Sequence, residues 1–342
     1  CELNLQCYYR FVSKPLKMVN CGRCNTKNFI PGELPPWETV PCAKCQHPVL
    51  LPVQMRQFEL RSVIASGGMG TVFRAFDLNL QREVAIKLVK REMTSDPHVM
   101  AGFYREARVG AALNHLNIIH IYNFDEYEGN PYLVMELADN GSLDGRIEAE
   151  GRVPELHVLD VGIKVASALA AAQKKGILHR DIKPGNILYN RDEPPEPKLV
   201  DFGLAGSADE GLDEEAGVWG TPYYVAPEKI KREAETFLSD MYTLGGTLYH
   251  ALTGHVPFEA PTVEELVQAH VYTPLTPPNQ VAPDVTQATS DALVIAMAKE
   301  PSQRFQSYDE FIMAFEGART NLLRQTFSEG SSSAASGSWW KK

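Results

Sequence analysis

Beyond Cys45 the chain contains no cysteine; all six, Cys1, Cys7, Cys21, Cys24, Cys42 and Cys45, fall near its N-terminal end. A disulfide-stapled secreted scaffold would spread its bridges through the fold, so that class is excluded. No run of about eighteen apolar residues occurs, which leaves no membrane-spanning helix within these residues and implies a soluble chain. Basic residues are outnumbered, 33 Lys and Arg against 43 Asp and Glu for a formal net charge of −10, so the overall field repels phosphate backbones and anionic lipid. Nucleic acid is therefore not expected as a partner. There is no internal repeat. What remains, 342 residues with 44% hydrophobic content, supports a substantial core and suggests one large domain with a small appendage.

Met18 opens a more ordered-looking segment, so residues 1–17 read as an N-terminal extension, either outside the native product or part of it. Residues 18–53 are dense in Cys, Pro and Gly and lack a hydrophobic period long enough to build a core. From Phe58 the pattern turns to strand-like runs at Phe58-Ile64, Thr71-Phe76, Arg82-Val89, Ile118-Phe124 and Tyr132-Glu136, with a helical stretch at Val99-Leu113. After Gly141 the period is helical at Leu156-Lys175, Asp240-Thr253, Val263-His270, Ala288-Ala298 and Tyr308-Glu316. Residues 318–342 have the composition of a Ser-rich flexible tail. Trp339-Trp340 beside two lysines suits a membrane surface, although a truncated or disordered terminus explains it more simply.

Several residues point to phosphoryl transfer, which asks for a held nucleotide, metal on its phosphates and an aligned hydroxyl nucleophile. Ala65-Ser66-Gly67-Gly68-Met69-Gly70-Thr71-Val72 lies between two strand-like runs, where small residues let backbone amides close over phosphates; alone it could equally be a hairpin turn. Lys87 in Val84-Ala85-Ile86-Lys87 sits within an apolar strand, where its charge needs a partner or a ligand unless it snorkels to the surface. Glu106, on the helical run Phe103-Arg108, is a candidate counter-ion, or a solvated surface residue. The segment His179-Arg180-Asp181-Ile182-Lys183-Pro184-Gly185-Asn186 is more specific. Asp181 can accept a hydroxyl proton, Lys183 can neutralise phosphoryl charge and Asn186 can ligate a metal, all from one loop. Asp201, in Asp201-Phe202-Gly203, offers a carboxylate suited to Mg2+.

With Met135-Glu136-Leu137 and Ala226-Pro227-Glu228, these motifs make residues 58–317 resemble a bacterial eukaryotic-like Ser/Thr protein kinase domain. The resemblance implies an α+β, two-lobed protein-kinase-like fold, with a small antiparallel β lobe carrying one helix (58–136) and a larger, mainly helical lobe (138–317). It implies ATP bound against Ala65, Ser66, Gly67, Gly68 and Gly70, with Val72, Ala85 and Leu188 around the adenine. Met135, Glu136 and Ala138 would form the gatekeeper and hinge, and Lys87 would be paired with Glu106. Asn186 and Asp201 would carry Mg2+, with Mn2+ as an alternative. Lys183 and Gly220-Thr221-Pro222 resemble the Ser/Thr branch, so the implied activity is transfer to Ser or Thr of protein substrates, with autophosphorylation open to it. Thr221 would touch Asp181 and Lys183, Asp240 would brace the catalytic loop, and Glu228 would pair with Arg304.

Two positions depart from the family pattern. Ala65 stands where the phosphate loop usually has its first glycine, which predicts a modest effect on ATP affinity. Between Gly203 and Thr221 the only hydroxyl side chain is Ser207, so the usual phosphorylated residue is missing. One of Asp209, Glu210, Asp213, Glu214 and Glu215 could take its place opposite Arg180, or the run is a solvated acidic loop.

Cys21-Gly22-Arg23-Cys24 and Cys42-Ala43-Lys44-Cys45 are two Cys-x-x-Cys knuckles whose thiolates suit tetrahedral Zn2+ in a zinc-ribbon-like module over 18–53. Rubredoxin-like iron and a redox dithiol pair are the rival readings. The metal would be structural and would supply the folding free energy that the missing core cannot. Cys1, Cys7 and His47 are read as non-ligands. The ribbon's partner is not legible: it could recruit substrate, dimerise the protein or pack on the small lobe. The competing view of the whole chain is a catalytically weak, kinase-like signalling scaffold. A cytoplasmic location follows, or a membrane-anchored one if a spanning segment follows Lys342.

Overall fold

The computed structural model describes residues 16–32, 38–67, 70–202 and 222–335, with residues 206–207 and 326–335 described for their backbone alone. The chain divides into two compact units. One comprises the described residues up to Met100 with Ile121–Leu137, the other Ala101–His120 with those from Ala138 onward.

Two hairpins open the first unit. Strand β1 (Leu16–Asn20) pairs antiparallel with β2 (Lys27–Pro31), and β3 (Thr39–Pro41) with β4 (Pro48–Leu50). Each turn is a Cys-x-x-Cys knuckle built on one plan. Cys21 N–H donates to Thr26 O and Cys42 N–H to His47 O, while Asn25 and Gln46 adopt φ of 54° and 60°. Next come β5 (Val53–Met55), β6 (Phe58–Ser66), β7 (Gly70–Asp77), β8 (Arg82–Val89), β9 (Ile121–Tyr127) and β10 (Asn130–Met135), an antiparallel sheet in the order β5-β6-β7-β8-β10-β9. Alternation, reset by a register shift between Leu60 and Val63 on β6, puts Leu60, Val63, Phe73, Ala75, Val84, Ile86, Tyr132 and Val134 into one core, where each large side chain contributes about 1.5–3 kcal/mol of transfer free energy.

The hairpins are not a separate bead on this sheet. Leu50 joins the sheet core, whereas its neighbours Val49 and Leu51 join a smaller core with Cys21, Ile30 and Cys42, so one strand serves both.

Helix α1 (Pro97–Ala112) runs from one unit into the other. The expected strand from Ile118 begins only at Ile121. Ile118 is instead buried in the second unit and forms an isolated bridge with Leu199, fixed by Ile119 N–H to Leu199 O and Leu199 N–H to Asn117 O.

The second unit continues with α2 (Leu143–Glu150), α3 (Glu155–Gln173), the short strands β11 (Ile177–Leu178), β12 (Ile187–Tyr189), β13 (Pro197–Leu199) and β14 (Gly206–Ser207), then α4 (Pro227–Ile230), α5 (Phe237–Thr253), α6 (Val263–Tyr272), α7 (Pro278–Val281), α8 (Gln287–Ala296) and α9 (Tyr308–Ala335). Helix α3 is apolar around most of its girth, as a helix packed on several sides must be. At Gly162 the packing is closest: a Cβ there would stand 2.7 Å from Phe315 and 2.9 Å from Leu248. Helix α5 is set by a capping box at Thr236 and Ser239 and ends at Gly254 with φ 75°.

Helix α9 overruns its predicted end and continues to Ala335, so the segment from residue 318 begins as helix. Buried Ala318 and the packed Leu322 anchor it, and extending an existing helix costs far less than nucleating one. No helix among the described residues is long and apolar enough to cross a membrane.

Candidate active site and cysteine cluster

In the first unit the strand register lines up one row of residues. Ala65 opposes Val72, Val72 opposes Lys87, and Lys87 opposes Leu133. Directly opposed residues point to the same face, so Ala65, Val72 and Lys87 share a face with Ala85, two residues from Lys87, and the core residues Phe73 and Ile86 take the other. Gly67 N–H donates to Gly70 O at 2.9 Å and closes the turn, and Ser66 Oγ lies 3.2 Å from Thr71 Oγ1. Gly70 has a structural reason to be glycine, since a Cβ there would come within 2.5 Å of the Leu88 carbonyl. Gly68 lies outside the described residues. Met135 closes β10 opposite Ala85, and Glu136 follows it.

In the second unit Ala138 is buried at the start of its longer segment, Leu188 lies on β12 opposite Lys198, and Glu106 is buried on α1. The loop expected to be catalytic spans β11 to β12. Asp181 Oδ2 accepts from Lys183 Nζ at 2.7 Å and from Asn186 Nδ2 at 3.0 Å, and Asn186 Nδ2 also donates to Asp181 O at 2.8 Å. With its nitrogen committed, Asn186 turns Oδ1 away from Asp181, an oxygen donor suited to a hard cation. Val200 N–H donates to Asn186 O at 3.0 Å, which ties the segment entering Asp201 to the loop, and Asp201 adopts φ 66°.

Asp240 on α5 accepts the backbone N–H groups of His179 at 2.8 Å and Arg180 at 2.9 Å, the bracing role expected of it. Burial pushes its carboxyl above the usual range, against those two donors. His179 is fully buried, with Nδ1 accepting from Asp181 N–H at 3.2 Å and Nε2 donating to Val200 O at 3.1 Å. That pattern assigns the neutral ring, and burial lowers its pKa accordingly. The Phe202 ring lies tilted against it, with centroids 4.5 Å apart. Glu228 and Arg304 form the expected pair, a buried bidentate bridge at 2.7 and 2.8 Å.

Residues 58–314 match the protein kinase domain family. The chain belongs to that family. It is 35% identical over 269 residues to the serine/threonine-protein kinase PknA of Mycobacterium tuberculosis, covering 77% of this chain and 61% of that one. It is 34% identical over 275 residues to PknB of Mycolicibacterium smegmatis, covering 78% and 43%, and 33% identical to PknH of Mycobacterium bovis, covering 75% and 43%. The chain thus spans about three fifths or less of the length of these relatives.

Sequence reasoning missed one residue of this kinase domain. Glu235, between α4 and α5, places Oε2 3.4 Å from Arg180 Nε and Oε1 3.4 Å from Lys229 Nζ. It lies far from the loop in sequence, and only its position just before the N-cap Thr236 could have drawn notice. The activation-segment carboxylates from Asp209 to Glu215, with Gly203 and Thr221, lie outside the described residues.

The domain's appendage brings Cys21, Cys24, Cys42 and Cys45 together, all four sulfurs lying within 4.8 Å of one another. Cys21 and Cys45 are 3.6 Å apart, as are Cys24 and Cys42, far beyond a disulfide's ~2 Å. Tetrahedral coordination at the usual Zn–S bond of about 2.3 Å sets sulfurs ~3.8 Å apart, so the donor set fits. Backbone N–H groups of Cys45 and Lys44, with Asn28, hold Cys42 down at about 6, whereas burial and the neighbouring thiols push Cys45 up to about 12, so within the cluster Cys42 is the thiol that ionises first. His47 is turned away from the sulfurs, with Nε2 2.9 Å from Val63 O on β6. Gly22 lies against the same strand; a Cβ there would stand 3.1 Å from Ser62 Cβ. Cys1 and Cys7 lie outside the described residues.

Proposed function

We propose that this kinase domain transfers the γ-phosphoryl group of ATP to serine and threonine hydroxyls of proteins. The observation that carries the reading is the bonding of Asp181, whose one carboxylate oxygen takes both Lys183 and Asn186. A carboxylate so oriented presents its other oxygen to a substrate hydroxyl, and Lys183 stands ready to neutralise the transferring phosphoryl group. Lys87 holds the nucleotide phosphates beneath the turn that runs from Ala65 and Ser66 to Gly70. Val72 and Ala85 meet the adenine, and the backbone at Met135 and Glu136 reads its edge. Asn186 and Asp201 would hold Mg2+ or Mn2+, which supplies positive charge on the phosphates.

The cysteine cluster holds structural Zn2+, and its role is to brace the small-lobe sheet. Support comes from the sulfur spacing and from contacts of both knuckles with β6. Incubation with γ-labelled ATP and a protein rich in Ser, Thr and Tyr tests the assignment. Label in phosphoserine and phosphothreonine is expected; label confined to phosphotyrosine would overturn it.

A further inference from the structure

Arg180 adjoins the candidate base and is held in an unfavourable backbone conformation, φ 66°, which a non-glycine residue adopts only when its surroundings insist. Its amide is fixed by Asp240, as is that of His179. Its side chain is 17% exposed and meets the carboxylate of Glu235, itself 12% exposed. At such burial the guanidinium needs a nearby anion.

Glu235 is firmly seated. The next residue, Thr236, caps α5 and gives its own N–H to Ser239 Oγ at 3.1 Å. Ser239 in turn donates to Glu228 at 2.7 Å, and Glu228 is locked to Arg304. On the other side Glu233 N–H donates to Glu228 O at 2.8 Å. A carboxylate on so fixed a connection can set the position of a flexible arginine.

We propose that Glu235 is a positioning residue for catalysis: from the connection between α4 and α5 it holds the Arg180 guanidinium, and through Arg180 the backbone that presents Asp181. This rests on the reading of Asp181 as the base. It assigns the protein a permanent carboxylate for work that a phosphate on the activation segment would otherwise do, which accords with a segment carrying Ser207 as its only hydroxyl before Thr221.

The test compares wild type, Glu235→Gln, Glu235→Asp, Arg180→Met and the Glu235→Gln/Arg180→Met pair, with Asp181→Asn as control. Glu235→Gln should lower kcat by on the order of tenfold with KM for ATP and Tm little changed, Glu235→Asp should recover part of the loss, and the pair should be no worse than Arg180→Met. Additive losses, or an unchanged kcat, would overturn the proposal. If wild type and Asp181→Asn transfer phosphate equally, the reading of Asp181 fails instead. Amide exchange then still decides on Glu235: its substitution by Gln should speed exchange at His179–Asp181, and unchanged protection there would count against it.

Discussion

His47 Nε2 lies 2.9 Å from the carbonyl oxygen of Val63, so the cysteine module is fastened to the strand that runs on to Ala65 and Ser66. The other knuckle meets β6 at Ser62 through Gly22. Metal bound by the four sulfurs is therefore expected to stiffen the approach to the phosphate turn. Chelation or Cys42→Ser should lower Tm and raise KM for ATP. His47→Ala should do the same more weakly, by about 1 kcal/mol for one lost hydrogen bond, with zinc content unchanged. Thermal unfolding, metal analysis and ATP titration check this; a KM indifferent to both changes would separate the ribbon from the nucleotide site.

The Glu228–Arg304 bridge makes a prediction about acid stability. Burial by itself would push the Glu228 carboxyl up, but the guanidinium bonds, with Ser239, outweigh it and hold the group below its usual range. A folded value below the unfolded one stabilises fully above the ordinary glutamate range near 4.3, and that stabilisation is lost as pH falls through the depressed value. Arg304→Met strands a buried carboxylate and should cost about 3–5 kcal/mol near neutrality. Its loss of Tm on acidification should also be shallower than that of wild type, as parallel scans against pH would reveal.

Glycines of the phosphate turn should behave differently from one another. Gly70→Ala drives a Cβ to 2.5 Å from the Leu88 carbonyl and should destabilise by about 1–3 kcal/mol, whereas Gly67 has nothing within 4 Å of its added Cβ. Urea titration of the two variants checks the contrast. Equal losses would mean that the turn, and not the contact with β8, limits Gly70.

Much of the arrangement was legible in the sequence because it is local. Asp181, Lys183 and Asn186 lie within one short loop, and each Cys-x-x-Cys pair is a single turn, so spacing alone announces them. Strands such as Arg82–Val89 were equally plain, since eight residues dominated by Val, Ile, Leu and Ala read as a strand. Val53–Met55 was not, because three residues carry no period. Ile118 looked like strand because it is apolar, yet it is held by Leu199 across the second unit. Glu235 had little in the sequence to mark it beyond its place before Thr236: its contacts with Arg180 and Lys229 are tertiary, and in sequence it is one charge among several.

Transfer of label from γ-labelled ATP by wild type, Asp181→Asn and Asp201→Asn tests the central claim most directly. Removing the base should reduce incorporation by on the order of 10²–10⁴-fold, and removing the metal carboxylate should reduce it comparably, with both variants retaining the wild-type Tm within a few degrees. Equal incorporation by all three proteins would contradict the account.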